Sequence, residues 1–142
     1  MCKNALHIPA DVDMPVRVID LDAGLGELRN LQAAVGGLVD VQAHSEGDLW
    51  CSDSGRVDGL AVNVRVNVWM LNDSAAAKMG RVGEHMVIYG DVVMTGLPNW
   101  EGDTTPVTQA MIDYFSGLVV SADALRDWDT RYVGVKVTDW EL

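Results

Sequence analysis

LQAAVGGLVDVQAHSEGDLWCSDSGRV, residues 31–57, reads as the end of a helix, a glycine stop, a strand, a tight connection and a second strand. Leu25, Leu28, Leu31 and Val35 keep the i, i+3, i+4, i+7 spacing of one helical face, broken only at Gln32. Gly36 and Gly37 end that helix, because a C-terminus commonly needs one left-handed residue and glycine has no Cβ to oppose it. Leu38, Val39 and Val41 start a strand. Ser45-Glu46-Gly47-Asp48 is turn chemistry, Leu49-Trp50-Cys51 resumes the strand, and Ser52-Asp53-Ser54-Gly55 turns again. This helix and hairpin make the folding centre. The fold class they imply is α+β: a small, mostly antiparallel sheet with helices packed on one face, in a single domain.

Upstream, residues 1–14 read as a lead-in. Residues 15–21 alternate well enough for a first strand, and Pro15 suits a strand end because it has no N–H for a ladder. Asp22 is placed to cap the next helix, with Glu27 in its early turns, although Gly24 and Gly26 weaken that start. Downstream, Val62, Val64, Val66 and Val68 alternate with Asn63, Arg65 and Asn67, a period-2 pattern that predicts a strand. Arg65, Val68 and Leu71 nevertheless tolerate a helix. Ser74 is placed to cap one or two helical turns. Residues 85–95 read as a strand pair around a bend at Gly90, or one strand bulged there. A loop, GLPNWEGD, covers residues 96–103. Thr105-Pro106 signals a helix start, with Met111, Ile112, Tyr114 and Phe115 as the apolar face and Ser116-Gly117 as the stop. Ser121 caps a short helix, and Tyr132, Val133, Val135, Val137 and Trp140 suggest a last strand. The organisation is thus a lead-in (1–14), a core α+β domain (15–96) and a C-terminal helical and strand extension packed on it (97–142).

The chain has 142 residues, 49% of them hydrophobic, enough to bury a core. No apolar run reaches the roughly 20 residues a membrane span requires, and the N-terminus carries no signal-peptide pattern. Two cysteines, Cys2 and Cys51, make neither a disulfide framework nor a metal motif. A reduced, cytoplasmic setting is expected, with Cys51 a small core residue. The net charge is −11. That opposes direct nucleic-acid binding, which needs clustered Lys and Arg. The acid is concentrated in the outer thirds: residues 1–58 are net −6, residues 59–98 neutral, and residues 99–142 net −5. Such a surface attracts a basic partner, or simply keeps the protein soluble.

The order LQAAVGGLVDVQ, LWCSDSGRVDGLAVN and IYGDVVMTG resembles the domain-of-unknown-function family 3846, small proteins of bacteriophages and mobile elements. Val35, Gly36, Gly37, Gly59, Leu60, Asn63, Gly90, Asp91 and Val92 carry the resemblance, over roughly residues 16–96. It implies an α+β domain and a phage or plasmid accessory role. It brings no catalytic residues and no cofactor. It also implies that the segment after Gly59-Leu60 is helical, with Asn63 near its start, where this chain departs by placing valine at alternate positions.

Few residues are spaced for chemistry. His44, Glu46 and Asp48 would share a strand face, but Ser45 and Gly47 make them a hairpin tip. Glu84 and His85 are adjacent, so in a strand they face opposite ways. No metal, nucleophile-elbow or phosphate-loop motif is present, and no catalytic residue is assigned. Asp91 is expected to bond backbone N–H groups or hold a cation. Trp50 and Trp69 read as core. Trp100 lies in a polar loop and Trp140 near the end, each among acids. Two roles compete for them: hot spots of a protein-binding surface, or rings that pin a loop and a tail to the body. The candidate binding residues are Trp100, Glu101, Asp103, Asp127, Asp129, Asp139, Trp140 and Glu141.

The expected function is a non-enzymatic phage-type accessory protein that binds and modulates a host protein with a basic surface. Its sharp form is an acidic mimic of nucleic acid with an antirestriction-like role. The alternative is a small-ligand or nucleotide-binding module of a phage counter-defence system, motivated by glycine turns at residues 80–83 and at Gly90. A hydrolase built on His44 or His85 comes last.

Overall fold

The computed structural model describes residues 3–55, 57–80 and 87–120. Among them, five strands form one antiparallel sheet: β1 (Asn4–Ile8), β2 (Arg17–Asp20), β3 (Val39–His44), β4 (Gly47–Ser52) and β5 (Val92–Thr95), in the order β2-β1-β5-β4-β3. The helices are α1 (Glu27–Val35), α2 (Val64–Val68), α3 (Ala75–Lys78) and α4 (Gln109–Gly117), and α2 continues into a π-helical turn, Trp69–Asp73. The α+β class, the antiparallel sheet and the single small domain stand as expected.

The helix end, glycine stop and hairpin of residues 31–55 fold as read, except that the second strand starts at Gly47 rather than Leu49. Gly36 takes φ 91°, and the Gly36 and Gly37 N–H groups both donate to the Gln32 carbonyl, ending α1. Ser45-Glu46 joins β3 to β4. Gly47 follows with φ 149°, and a Cβ there would overlap the Thr95 carbonyl of β5. Gly47→Ala should therefore cost about 2–3 kcal/mol, the usual penalty for overpacking, read as a lower denaturation midpoint. An unchanged midpoint would contradict this packing. The expected Asp22 cap is not formed: α1 starts at Glu27, after Gly24 and Gly26 both adopt positive φ.

Three expectations are corrected. Residues 4–8 are not lead-in; they form β1, an inner strand between β2 and β5. The helices are not confined to one face. Leu31 and Val35 of α1 pack with Ala5, Leu21 and Val93 on one side. Val66, Trp69, Met70, Met111 and Phe115 pack with Leu6, Ile8, Leu49, Val92 and Met94 on the other. The reason lies in the inner strands. Residues 5–8 of β1 and all of β5 are buried, so their side chains need cover on both faces. Finally, α4 starts later than Thr105-Pro106. Its N-cap is Thr108, whose Oγ accepts from the Met111 N–H, while Thr105 Oγ1 donates to the Leu97 carbonyl.

The valine-alternating segment is helical, as the resemblance implied and the period-2 pattern did not. A helix at the centre of a core is buried all round, and an alternating pattern then has no single polar face to report. Val64 and Val68 face one cluster, and Val66, Trp69 and Met70 face another. Asn63 and Asn67, at i and i+4, face residues 88–90. Asn63 is the N-cap, accepting from the Val66 N–H while its Nδ2 donates to the Ile8 and Gly90 carbonyls. The Asn67 amide acts like a strand partner for Ile88. Its Nδ2 donates to the Ile88 and Asn63 carbonyls at 2.8 and 2.7 Å, and its Oδ1 accepts from the Ile88 N–H at 2.9 Å. Arg65 is buried too, its guanidinium donating to the Pro9, Val12 and Met14 carbonyls and so holding the loop after β1. Ser74 caps α3 as expected, accepting from the Ala77 N–H.

Candidate functional site

The loop 96–103 leaves the C-terminal end of β5. It is short, polar and closed by its own hydrogen bonds. The Asn99 side chain accepts from the Glu101 and Asp103 N–H groups at 3.0 and 2.9 Å. The Asn99 N–H donates to the Asp103 carbonyl, and the Gly102 N–H to that of Asn99. Gly96 N–H donates to the Thr105 carbonyl at the base. Gly102 takes φ 87° to close the turn. Thr104 Oγ1 ties the returning arm to Glu27 of α1.

Trp100 stands at the tip with 94% of its surface exposed. Of its two competing roles, pinning the loop to the body is therefore excluded. Glu101 and Asp103 are exposed beside it, and Leu97 is 52% exposed at the base. Below the loop is a groove of about 370 Å³ between the β3–β4 hairpin tip and the start of α4. Leu97, Pro106, Ala110 and Met111 give it apolar walls, and Glu46 stands at its margin. Lys3, close by, is already paired: its Nζ lies 2.8 Å from Glu27 Oε1. That hydrogen bond raises the Lys3 pKa, with Asp22 and Asp103 adding to it. The other candidate residues, Asp127, Asp129, Asp139, Trp140 and Glu141, lie outside the described residues, as do Trp128, Glu84, His85 and the elements expected beyond Ser121.

The hairpin-tip trio does not form a shared ligand set. His44 is buried, not solvated as its turn position suggested. Its Nε2 meets Gln42 Oε1 at 2.6 Å, and its ring packs edge-on to Trp69 with centroids 5.1 Å apart. Burial pushes its pKa down. Glu46 accepts from the Ala75 N–H at the start of α3. Among the described residues no group of three His, Cys, Asp or Glu side chains is placed to hold a metal ion.

Cys51 is half-buried at the edge of the core rather than within it, with its Sγ donating to the Asp40 carbonyl at 3.8 Å. Burial, with Asp40 and Asp53 nearby, pushes its thiol up to about 11 from an ordinary 9.0. The folded state thus holds this proton more tightly than the unfolded chain. Its stabilising contribution is complete below pH 9 and is lost as pH rises towards 11. Denaturant unfolding across that window should show a decline in wild-type stability that is shallower in Cys51→Ala. Parallel declines would contradict it.

Sequence reading missed one further cluster, because its members are distant along the chain. His7, assigned to the lead-in, is on β1 and only 6% exposed. Its Nε2 lies 3.0 Å from Asp91 Oδ2, and its Nδ1 lies 3.4 Å from Arg17 Nε. Asp91 does bond a backbone N–H, as expected, that of Ala10 at 2.9 Å. Gly90 takes φ 83°, the left-handed region that glycine enters without a Cβ penalty.

A small α+β domain is thus defined, with an antiparallel sheet clad on both faces and a rigid tryptophan-bearing acidic loop at one end. The chain belongs to the family described as domain of unknown function DUF3846, whose match covers residues 4–119. That span takes in β1 and α4, both outside the stretch 16–96 that carried the resemblance. No curated protein and no solved structure matches the chain. Among the described residues no helix is long and apolar enough to cross a membrane.

Proposed function

We propose that this protein is a non-catalytic accessory protein that binds a host-cell protein in the cytoplasm through the loop 96–103. The observation that carries the reading is Trp100: a large ring, 94% exposed, on a loop whose backbone is already ordered by Asn99. Exposing a tryptophan gains the fold nothing, whereas tryptophan is among the residues most enriched in binding hot spots. A loop held rigid before binding also loses little entropy when it docks. The flanking Glu101 and Asp103 match a basic partner surface, and the groove behind Leu97 offers a seat for one of its apolar side chains. The net charge of −11 supports a protein partner over direct contact with nucleic acid. The phage-type setting rests on the family resemblance, not on the site. The reading does not depend on mimicry of a phosphate backbone: Asp20, Glu27, Glu46, Asp73 and Asp91 are engaged in internal hydrogen bonds.

The test is capture from a host lysate with the tagged full chain, using nuclease and a salt series, beside Trp100→Ala. The expected result is one dominant basic protein, retained after nuclease, released by salt and lost with Trp100→Ala. Equal capture by Trp100→Ala, or capture that disappears with nuclease, would overturn the reading.

A further inference from the structure

We propose that the cleft at the opposite end of β5 from the Trp100 loop binds a small organic oxyanion, gripped by Arg17. His7 and Arg17 are direct cross-strand partners on β1 and β2, and so share one sheet face. Asp91, just before β5, reaches the same point. The donor and acceptor roles along this chain follow from chemistry. A guanidinium only donates, so His7 Nδ1 must accept from Arg17 Nε. The imidazole proton then sits on Nε2 and is donated to Asp91 Oδ2. The second Asp91 oxygen accepts from the Ala10 N–H. Both His7 nitrogens are committed, so His7 is a positioning residue for Arg17 and not a base. The Arg17 Nη groups make no hydrogen bond to any described residue. Their planar pair of donors is the geometry that binds a carboxylate or phosphate through two parallel hydrogen bonds.

The cleft in front of Arg17 has a volume of about 290 Å³. Pro9, Met14 and Pro15 form its apolar wall, and Asp11 and Asp91 its acidic side. That volume is at the lower end of the about 300–1,000 Å³ typical of ligand pockets, so the ligand is small. The charges argue for a monoanion. Asp91 is satisfied by its two donors, and Arg65 adds a second positive charge beneath the wall, through the Pro9, Val12 and Met14 carbonyls. Asp11 remains on the cleft to repel a second negative charge. An oxyanion on a compact apolar body fits all three surfaces.

The test uses the full chain, nitrogen-15 labelled, titrated separately with benzoate and methyl phenyl phosphate, both monoanions, and followed by NMR. The expected result is saturable shifts at the Arg17 side-chain Nε–H and at the amides of residues 10–14. Affinity should fall at least about tenfold in Arg17→Ala and in Arg17→Lys, which keeps the charge but not the fork. Arg29→Ala, on the exposed side of α1, should bind as wild type does. Saturation by either probe supports the site, and the stronger one tells carboxylate from phosphate. Absence of saturable binding for both probes, or equal binding by wild type and a folded Arg17→Ala, would overturn the proposal.

Discussion

Asn67→Leu is expected to destabilise the protein by about 2–3 kcal/mol, as the Ile88 N–H loses its partner inside the core while the Ile88 C=O keeps only the Asn63 N–H. The Asn67 side chain is fully buried and serves both the N–H and the C=O of Ile88. Leucine is of similar size, so the loss comes from unmet hydrogen bonds, not from a cavity. Each buried group left unpaired costs roughly 1–3 kcal/mol, which makes this one of the largest single effects available. Asn67→Asp separates the parts. It keeps the acceptor for the Ile88 N–H, loses the donors to the Ile88 and Asn63 carbonyls, and buries a carboxylate, so it too should be strongly destabilising. Urea unfolding measures both. A loss below about 1 kcal/mol for Asn67→Leu would mean that water or a shifted backbone serves Ile88 instead.

Trp100→Ala is expected to weaken partner binding by about 30- to 1,000-fold, the range of roughly 2–4 kcal/mol seen for hot-spot aromatics. The same substitution should change folding stability by no more than about 0.5 kcal/mol, as for other exposed positions. The pairing of a large binding loss with an unchanged fold is what separates a recognition residue from a structural one. Glu101→Gln with Asp103→Asn should act differently. The loop is closed through their backbone groups, so its shape survives. Rim charges mostly set encounter rate and salt dependence, so the association rate should fall and the salt slope flatten. Titration calorimetry and surface plasmon resonance with the captured partner measure these quantities. A Trp100→Ala complex within threefold of wild type would contradict the role given to the ring.

Some of this molecule is legible in its sequence, for identifiable reasons. The helix of residues 27–35 has one buried and one solvated side, so its periodicity carries the message, and the hairpin after it is marked by its glycine stop and its turn residues. β1 is illegible because NALHI is covered on both sides and shows no alternation. The segment 64–73 misleads because successive valines enter different clusters around a buried helix. In such a helix the informative residues are the polar ones: Asn63 and Asn67 at i and i+4, each bound to backbone. The candidate loop was legible as a polar loop with a tryptophan, but the exposure of that ring needed coordinates. The Asp91–His7–Arg17 chain joins residues 84 apart, and no local pattern marks such a contact.

The most direct test of the central claim is hydrogen–deuterium exchange on the full chain, free and bound to its captured partner. The loop account predicts new protection concentrated in residues 97–104, with β1 and β5 exchanging slowly in both states. Protection along the β2 or β3 edge, with residues 97–104 unchanged, would contradict it and place recognition elsewhere on the domain.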